Sequence, residues 1–344
     1  MDGTRKDLGG ALRRVGTRIL VDPILGVCIL IAAFTAIAAV FLPVFYAGNN
    51  IYNVLGGSIT VMILGIGMTV VLISGGIDLS VGAVMALCAG VSATAINAGA
   101  PLAVAFLAAI ATGVVGGLLN GWLITRVGLP DFIATLAMLG FASGVLYITT
   151  EGVPIIGYMN DGYRVVGGLE RVIGQITLPM IIAAVLALIV GWVLGWTTLG
   201  THFFAIGSDV VAARQSGISV RLVKTKAYVL SGVCAAVAGI ILAGRNNNVP
   251  ADLGNGYEIQ AISAAIIGGA SLLGARGRIL GAVLGAITLA LAINLINLAG
   301  VPSSYQKIVI GLVLVVAVFA NQMTTVFSSA VMKRRTQKLS SATV

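Results

Sequence analysis

Ten long apolar runs, each carrying little charge, constrain this fold more than any single motif does. They are 23–43, 54–74, 79–98, 101–125, 132–150, 176–197, 226–244, 258–273, 279–300 and 305–327. A soluble domain has about 25% charged residues; this chain has 9%, with 58% hydrophobic. In hydrocarbon every backbone N–H and C=O must be bonded internally, so only helices and closed barrels can cross. A barrel strand alternates lipid-facing and lumen-facing residues, and these runs do not alternate. The expected fold is therefore all-α, a polytopic helical membrane protein with about ten spans. The eighth run is short, a candidate for a broken or partly inserted helix. No compositional break divides the chain. It reads as a basic segment over 1–22, one transmembrane domain over 23–327 and a basic tail over 328–344.

The net charge of +9 would fit a nucleic-acid partner, but its distribution fits a membrane. With a cytoplasmic N-terminus and ten spans, sixteen Lys and Arg residues fall on the cytoplasmic side. Only Arg164, Arg171, Arg245 and Lys307 fall outside. That asymmetry is the positive-inside rule, and an even span count keeps both basic termini cytoplasmic. Ala36-Ile37-Ala38 offers a weak cleavage pattern, yet the first run is longer than a signal-peptide core, so an uncleaved anchor is expected. Cys28, Cys88 and Cys234 are scattered through apolar runs and make neither a metal spacing nor a disulfide framework.

Residues 208–217, SDVVAARQSG, form a short charged helix candidate in the most basic internal loop. Ser208 and Asp209 are suitable N-caps, and Gly217 suits the position just past a C-terminus. Two turns do not persist alone in water, so this helix is expected to dock. Glycines recur every fourth residue at Gly113, Gly117 and Gly121, and again at Gly277, Gly281 and Gly285, with a shorter pair at Gly191 and Gly195. Such stripes let helix backbones approach closely. The stretch 73–87 is also echoed weakly at 267–286.

Little in the chain looks catalytic. His202 is the sole histidine, and no nucleophile, acid pair or metal cluster assembles around it. None of the six lysines follows a glycine, so there is no P-loop and ATP would have to be bound by another polypeptide. Asp78, in the link after Gly75 and Gly76, either caps the next helix or serves as an ion site at membrane depth. With Asn120 and Asn294 these residues are candidates for a translocation path or a helix break. Hydrogen-bonding glue between helices is the default assignment for the asparagines. The outer segments 151–175 and 244–258 are solvated loops or contacts for a delivery protein.

Five segments, in order, carry a resemblance. They are GGIDLSVGAVMAL (75–87), LLNGWLITRVGLPDFIATLAML (118–139), AIGSDVVAARQSGI (205–218), YVLSG (228–232) and GYEIQAISAAIIGGASLLGARGRILG (256–281). Together they resemble the permease subunit of a ribose-type (monosaccharide) ABC importer, a binding-protein-dependent family related to branched-chain amino-acid permeases. The resemblance implies that Ser208, Asp209, Ala212, Ala213, Arg214 and Gly217 belong to an ATPase-coupling helix. The chain departs from the pattern at Val211, where the broader family often has Glu; Asp209 is the acid at hand. A second permease copy in a homodimer, two ABC ATPase subunits and a periplasmic sugar-binding protein are implied as partners. Inner-membrane location is implied as well, with no cofactor or metal. The resemblance places sugar specificity mainly in the binding protein. The alternative from another class is an ATP-independent secondary transporter of a small polar solute, followed by a membrane-embedded enzyme.

Overall fold

The computed structural model describes residues 23–46, 50–168 and 170–302, with a few positions from 305 to 319. The terminal segments 1–22 and 328–344 and most of the tenth expected span lie outside the described residues. Twelve α-helices are present among them. In chain order they are α1 (Pro23–Phe41), α2 (Asn50–Ile73), α3 (Val81–Asn97), α4 (Leu102–Trp122), α5 (Asp131–Thr150) and α6 (Asp161–Val166). They continue as α7 (Leu178–Trp196), α8 (Thr198–Ser208), α9 (Val210–Gln215), α10 (Val220–Asn246), α11 (Tyr257–Ile267) and α12 (Ile279–Leu298). A short antiparallel hairpin, β1 (Arg171–Ile173) with β2 (Ile176–Thr177), precedes α7.

Seven of these helices are long and apolar enough to cross a bilayer: α1, α2, α4, α5, α7, α10 and α12. The shorter apolar helices are α3 and α11. The eleven residues of α11 rise only about 16 Å, against about 30 Å of hydrocarbon. The eighth run therefore enters without crossing as a helix, and residues 268–278 continue it as irregular chain.

Burial separates the helices into an inner and an outer set. α2 and α10 are 83% and 78% buried over their apolar windows, against 11% for α1 and 22% for α4 and α7. α10 packs most extensively on α4, and next on α2 and α3. Glycine sets the closeness of the α4–α10 crossing. A Cβ at Gly113 would strike the Gly232 carbonyl, one at Gly117 the Tyr228 carbonyl, and one at Gly121 would lie 2.7 Å from Thr225. Gly285 likewise meets Ala264 on α11, Gly281 meets Gly268 just past its end, and Gly277 fits against Ile73. The Gly191 and Gly195 pair differs. Gly191 reaches only Ile279, at 4.0 Å, and Gly195 meets nothing, so spacing alone overstated that pair.

Candidate functional site

The 208–217 stretch folds as a helix stopped at both ends. Asp209 is extended (φ −157°, ψ 111°), which ends α8, and its Oδ1 accepts from Val211 N at 2.8 Å and Ala212 N at 3.0 Å. At the other end Gly217, at φ +82°, donates to Arg214 O (3.0 Å), while Ile218 N donates to Ala213 O (3.1 Å). These two bonds are the Schellman stop, which requires the left-handed conformation that glycine adopts freely. Ser208 is not a second cap; it closes α8. Six residues thus hold a fixed shape without long-helix cooperativity. Ala213 is buried within the chain's own core, whereas Ala212 and Arg214 are exposed. Val211 is 65% exposed and Val210 41%. Ala213 is therefore the anchor of α9, and Val210, Val211, Ala212 and Arg214 form its free face.

Directly behind α9, three segments meet backbone to backbone. Gly207 abuts the Ile73 carbonyl and Ala275, and Gly274 abuts Gly207. Ala275 N donates to Ile73 O at 3.0 Å. The stretches with a weak sequence echo, around 73–87 and 267–286, touch each other here. Gly75 (φ +72°) turns the chain out of α2. A Cβ on Gly76 would sit 2.7 Å from both Asp131 Oδ2 and the Tyr228 hydroxyl.

Asp78 lies in the same link and is buried, at 3% exposure. Its Oδ1 accepts from Ser80 N (3.0 Å) and Ser80 Oγ (2.6 Å), and its Oδ2 from Ser231 Oγ on α10 (2.7 Å). Ser80, not Asp78, occupies the N-cap position of α3, without a side-chain cap bond. Burial raises the Asp78 carboxyl above its ordinary value, and the Ser80 and Ser231 hydrogen bonds counter this in part. Asn120 Nδ2 on α4 donates to Ser80 Oγ at 2.8 Å, and its Oδ1 is buried with no partner.

A second buried group adjoins. Lys224 Nζ lies 2.8 Å from Asp131 Oδ2, and both side chains are largely covered. Tyr228 OH donates to Asp131 Oδ2 at 2.8 Å, with Ile77 O at 3.3 Å. The polar cluster thus joins the α2–α3 link to α4, α5 and α10. It collects Gly75, Gly76, Asp78 and Asn120. Asn294 lies elsewhere, where its amide pairs with Asn50 in both directions (3.1 and 2.9 Å). Ser80, Asp131, Lys224 and Ser231 were not singled out as site residues from the sequence. An Asp just before the fifth apolar run and a Lys just before the seventh were the signal available.

The other end is built differently. An isolated bridge pairs Ile155 with Val249, and Tyr158 OH donates to Ala243 O at 2.8 Å. A cavity of about 300 Å³ opens there, lined by Tyr52, Asn53, Arg171, Gln175 and Arg245 among others. His202 on α8 is half-buried, and no group of metal-ligating side chains occurs among the described residues.

A bundle of apolar helices, seven of them long enough to cross a bilayer, with a short capped helix that exposes apolar side chains, is compatible with a membrane transport protein. The sequence relations agree. Residues 50–318 match the family model described as branched-chain amino acid transport system / permease component. The ribose import permease protein RbsC of Escherichia coli K12 is 36% identical over 288 residues, 83% of this chain and 89% of that protein. RbsC of Bacillus subtilis is 38% identical over 315 residues, covering 91% and 94%. The autoinducer 2 import system permease protein LsrC of Klebsiella pneumoniae is 35% identical over 290 residues, 83% of each. No solved structure matches. The chain belongs to this permease family. It is the transmembrane permease subunit of an ABC importer, a multi-pass protein of the bacterial inner membrane.

Proposed function

We propose that this permease moves a monosaccharide or similar polyol inward, as a homodimer driven by two copies of a separate ATPase and fed by a periplasmic sugar-binding protein. The subunit itself catalyses no reaction; ATP is hydrolysed on the partner. The names of its relatives support the substrate class, since RbsC imports ribose and LsrC autoinducer 2.

One observation carries the mechanism: α9 is capped at both ends, anchored by Ala213 and presents Val210, Val211 and Ala212 outward. Exposed apolar side chains on a polar-end helix imply a partner surface. When the ATPase subunits close, a stiff α9 is pushed as a unit. Gly207, three residues before it, rests on the Ile73 carbonyl, so the push reaches the end of α2. The Ser231–Asp78 and Tyr228–Ile77 bonds carry it into α10. α2 and α10 are the two inner helices, and their displacement is what would open or close a path. The test is co-purification of the chain with an ATPase encoded beside it, followed by ATP hydrolysis with and without the sugar-loaded binding protein. Stable association and sugar-stimulated hydrolysis are expected. Uptake that persists in cells lacking that ATPase would instead make this an ATP-independent transporter.

A further inference from the structure

The flank of the α4–α10 crossing carries a groove that the transport reading leaves unused. Its volume is about 760 Å³. Leu118, Leu119, Trp122 and Leu222 form an apolar wall, Val115 closes one end, and Arg126 and Arg221 stand at the other. Leu222 is 64% exposed and Trp122 54%, so these are open surfaces. Neither arginine has an ion pair or hydrogen bond among the described residues.

We propose that this groove holds one anionic phospholipid of the inner leaflet. The phosphate sits between Arg126 and Arg221, and an acyl chain lies along Leu118, Leu119 and Leu222. Three observations favour that occupant. The charge is complementary, since each guanidinium is a planar fork able to donate two hydrogen bonds to a phosphate, and basic pockets between helices at the cytoplasmic side are lipid-headgroup sites. The length also fits: the eleven steps from Val115 to Arg126 rise roughly 16 Å, close to one leaflet of a bilayer core about 30 Å thick. Trp122, one turn before Arg126, takes the aromatic position of a membrane interface. A soluble ATPase does not reach an apolar wall at that depth, and a second copy meeting it symmetrically would bring its own two arginines against these. The headgroup would lie beside Ser219, which starts α10 just after α9. The proposal goes beyond sugar import and depends only on the basic end facing the inner leaflet.

The test is native mass spectrometry of the full chain, released in mild detergent and mixed with phosphatidylglycerol and phosphatidylcholine. Phosphatidylglycerol should be retained in preference. Arg126→Ala with Arg221→Ala should weaken its retention roughly thirtyfold, the worth of two basic side chains at an anionic surface. Arg126→Lys with Arg221→Lys should keep most of it, and Arg164→Ala, at the other end, all of it. Melting curves of each variant separate a lost site from a lost fold. Equal retention by wild type and the double alanine variant overturns the proposal, as does equal binding of phosphatidylcholine. Efficient disulfide formation between copies carrying Leu222→Cys, in a background with Cys28 replaced, also overturns it by showing that a second copy covers the groove. ATPase co-purification from the same membranes reads the transport proposal separately.

Discussion

The end of the molecule that carries α9 and the end that carries the β1–β2 hairpin are held together by different physics. At the α9 end, backbones touch through Gly207 and Gly274, and a part-buried ion pair joins α10 to α5. At the hairpin end, the ion pair Arg164–Glu170 is about half exposed (50% and 46%), and Gly174 in the β-turn meets nothing. Buried contacts of the first kind have no slack, because neither a carbonyl nor a desolvated charge can relax into water. Solvated contacts of the second kind break cheaply. Under the coupling proposed above, the end that is driven is the stiff one and the opposite end is the more compliant.

Breaking this contrast should give graded effects. The largest belongs to Asp131→Asn, which leaves Lys224 covered and without its counter-charge. A loss of about 2–3 kcal/mol is expected, between the cost of breaking a solvated pair and a fully buried one, seen as a lower melting temperature in detergent, whereas Arg164→Gln should cost below about 1 kcal/mol. Gly207→Ala should follow, because its methyl must displace the Ile73 carbonyl; overpacking of this kind costs about 1–3 kcal/mol. Gly174→Ala carries only the left-handed backbone penalty of about 1 kcal/mol. If these two alanine variants melt together, the backbone contact at Gly207 is looser than described. Asn120→Ala should be milder still, at about 1 kcal/mol. It removes the hydrogen bond to Ser80 but also a buried acceptor that has no partner, and expression level with melting temperature would read it. Gly217→Ala should leave the bundle melting almost unchanged while lowering uptake, since the strain falls on the C-terminal stop of α9.

The helical membrane class, seven of the ten expected spans and the helix at 210–215 were legible in the sequence because they depend on local composition, whereas the third and eighth runs form shorter helices. Apolar length marks the helices, and Gly217 marks the stop of α9. The residues around Asp78 were only half legible. Gly75 and Gly76 announce a break in the chain, but Asp78 reads as a cap until Ser231, far along the chain, is seen to hold its second oxygen. The Asp131–Lys224 pair joins residues 93 apart, a distance no helical or strand period encodes. Which face of α9 is buried was also hidden. Six residues give too little periodicity to separate Ala212 from Ala213, and the tertiary contact beneath Ala213 decides it. A large substitution at Ala213 would therefore unseat the helix, so it is a poor probe of docking.

The direct test of coupling uses the free face instead. Val211→Glu combined with Ala212→Glu puts two carboxylates on exposed positions of α9 and leaves the Ala213 anchor intact. Membrane level, ATPase co-purification and sugar uptake should be measured in the same cells. Coupling through α9 predicts wild-type insertion and melting, with ATPase association and uptake both falling at least about tenfold, the equivalent of about 1.4 kcal/mol at the contact. Normal association and normal uptake in the inserted protein would contradict it and leave α9 an ordinary loop helix.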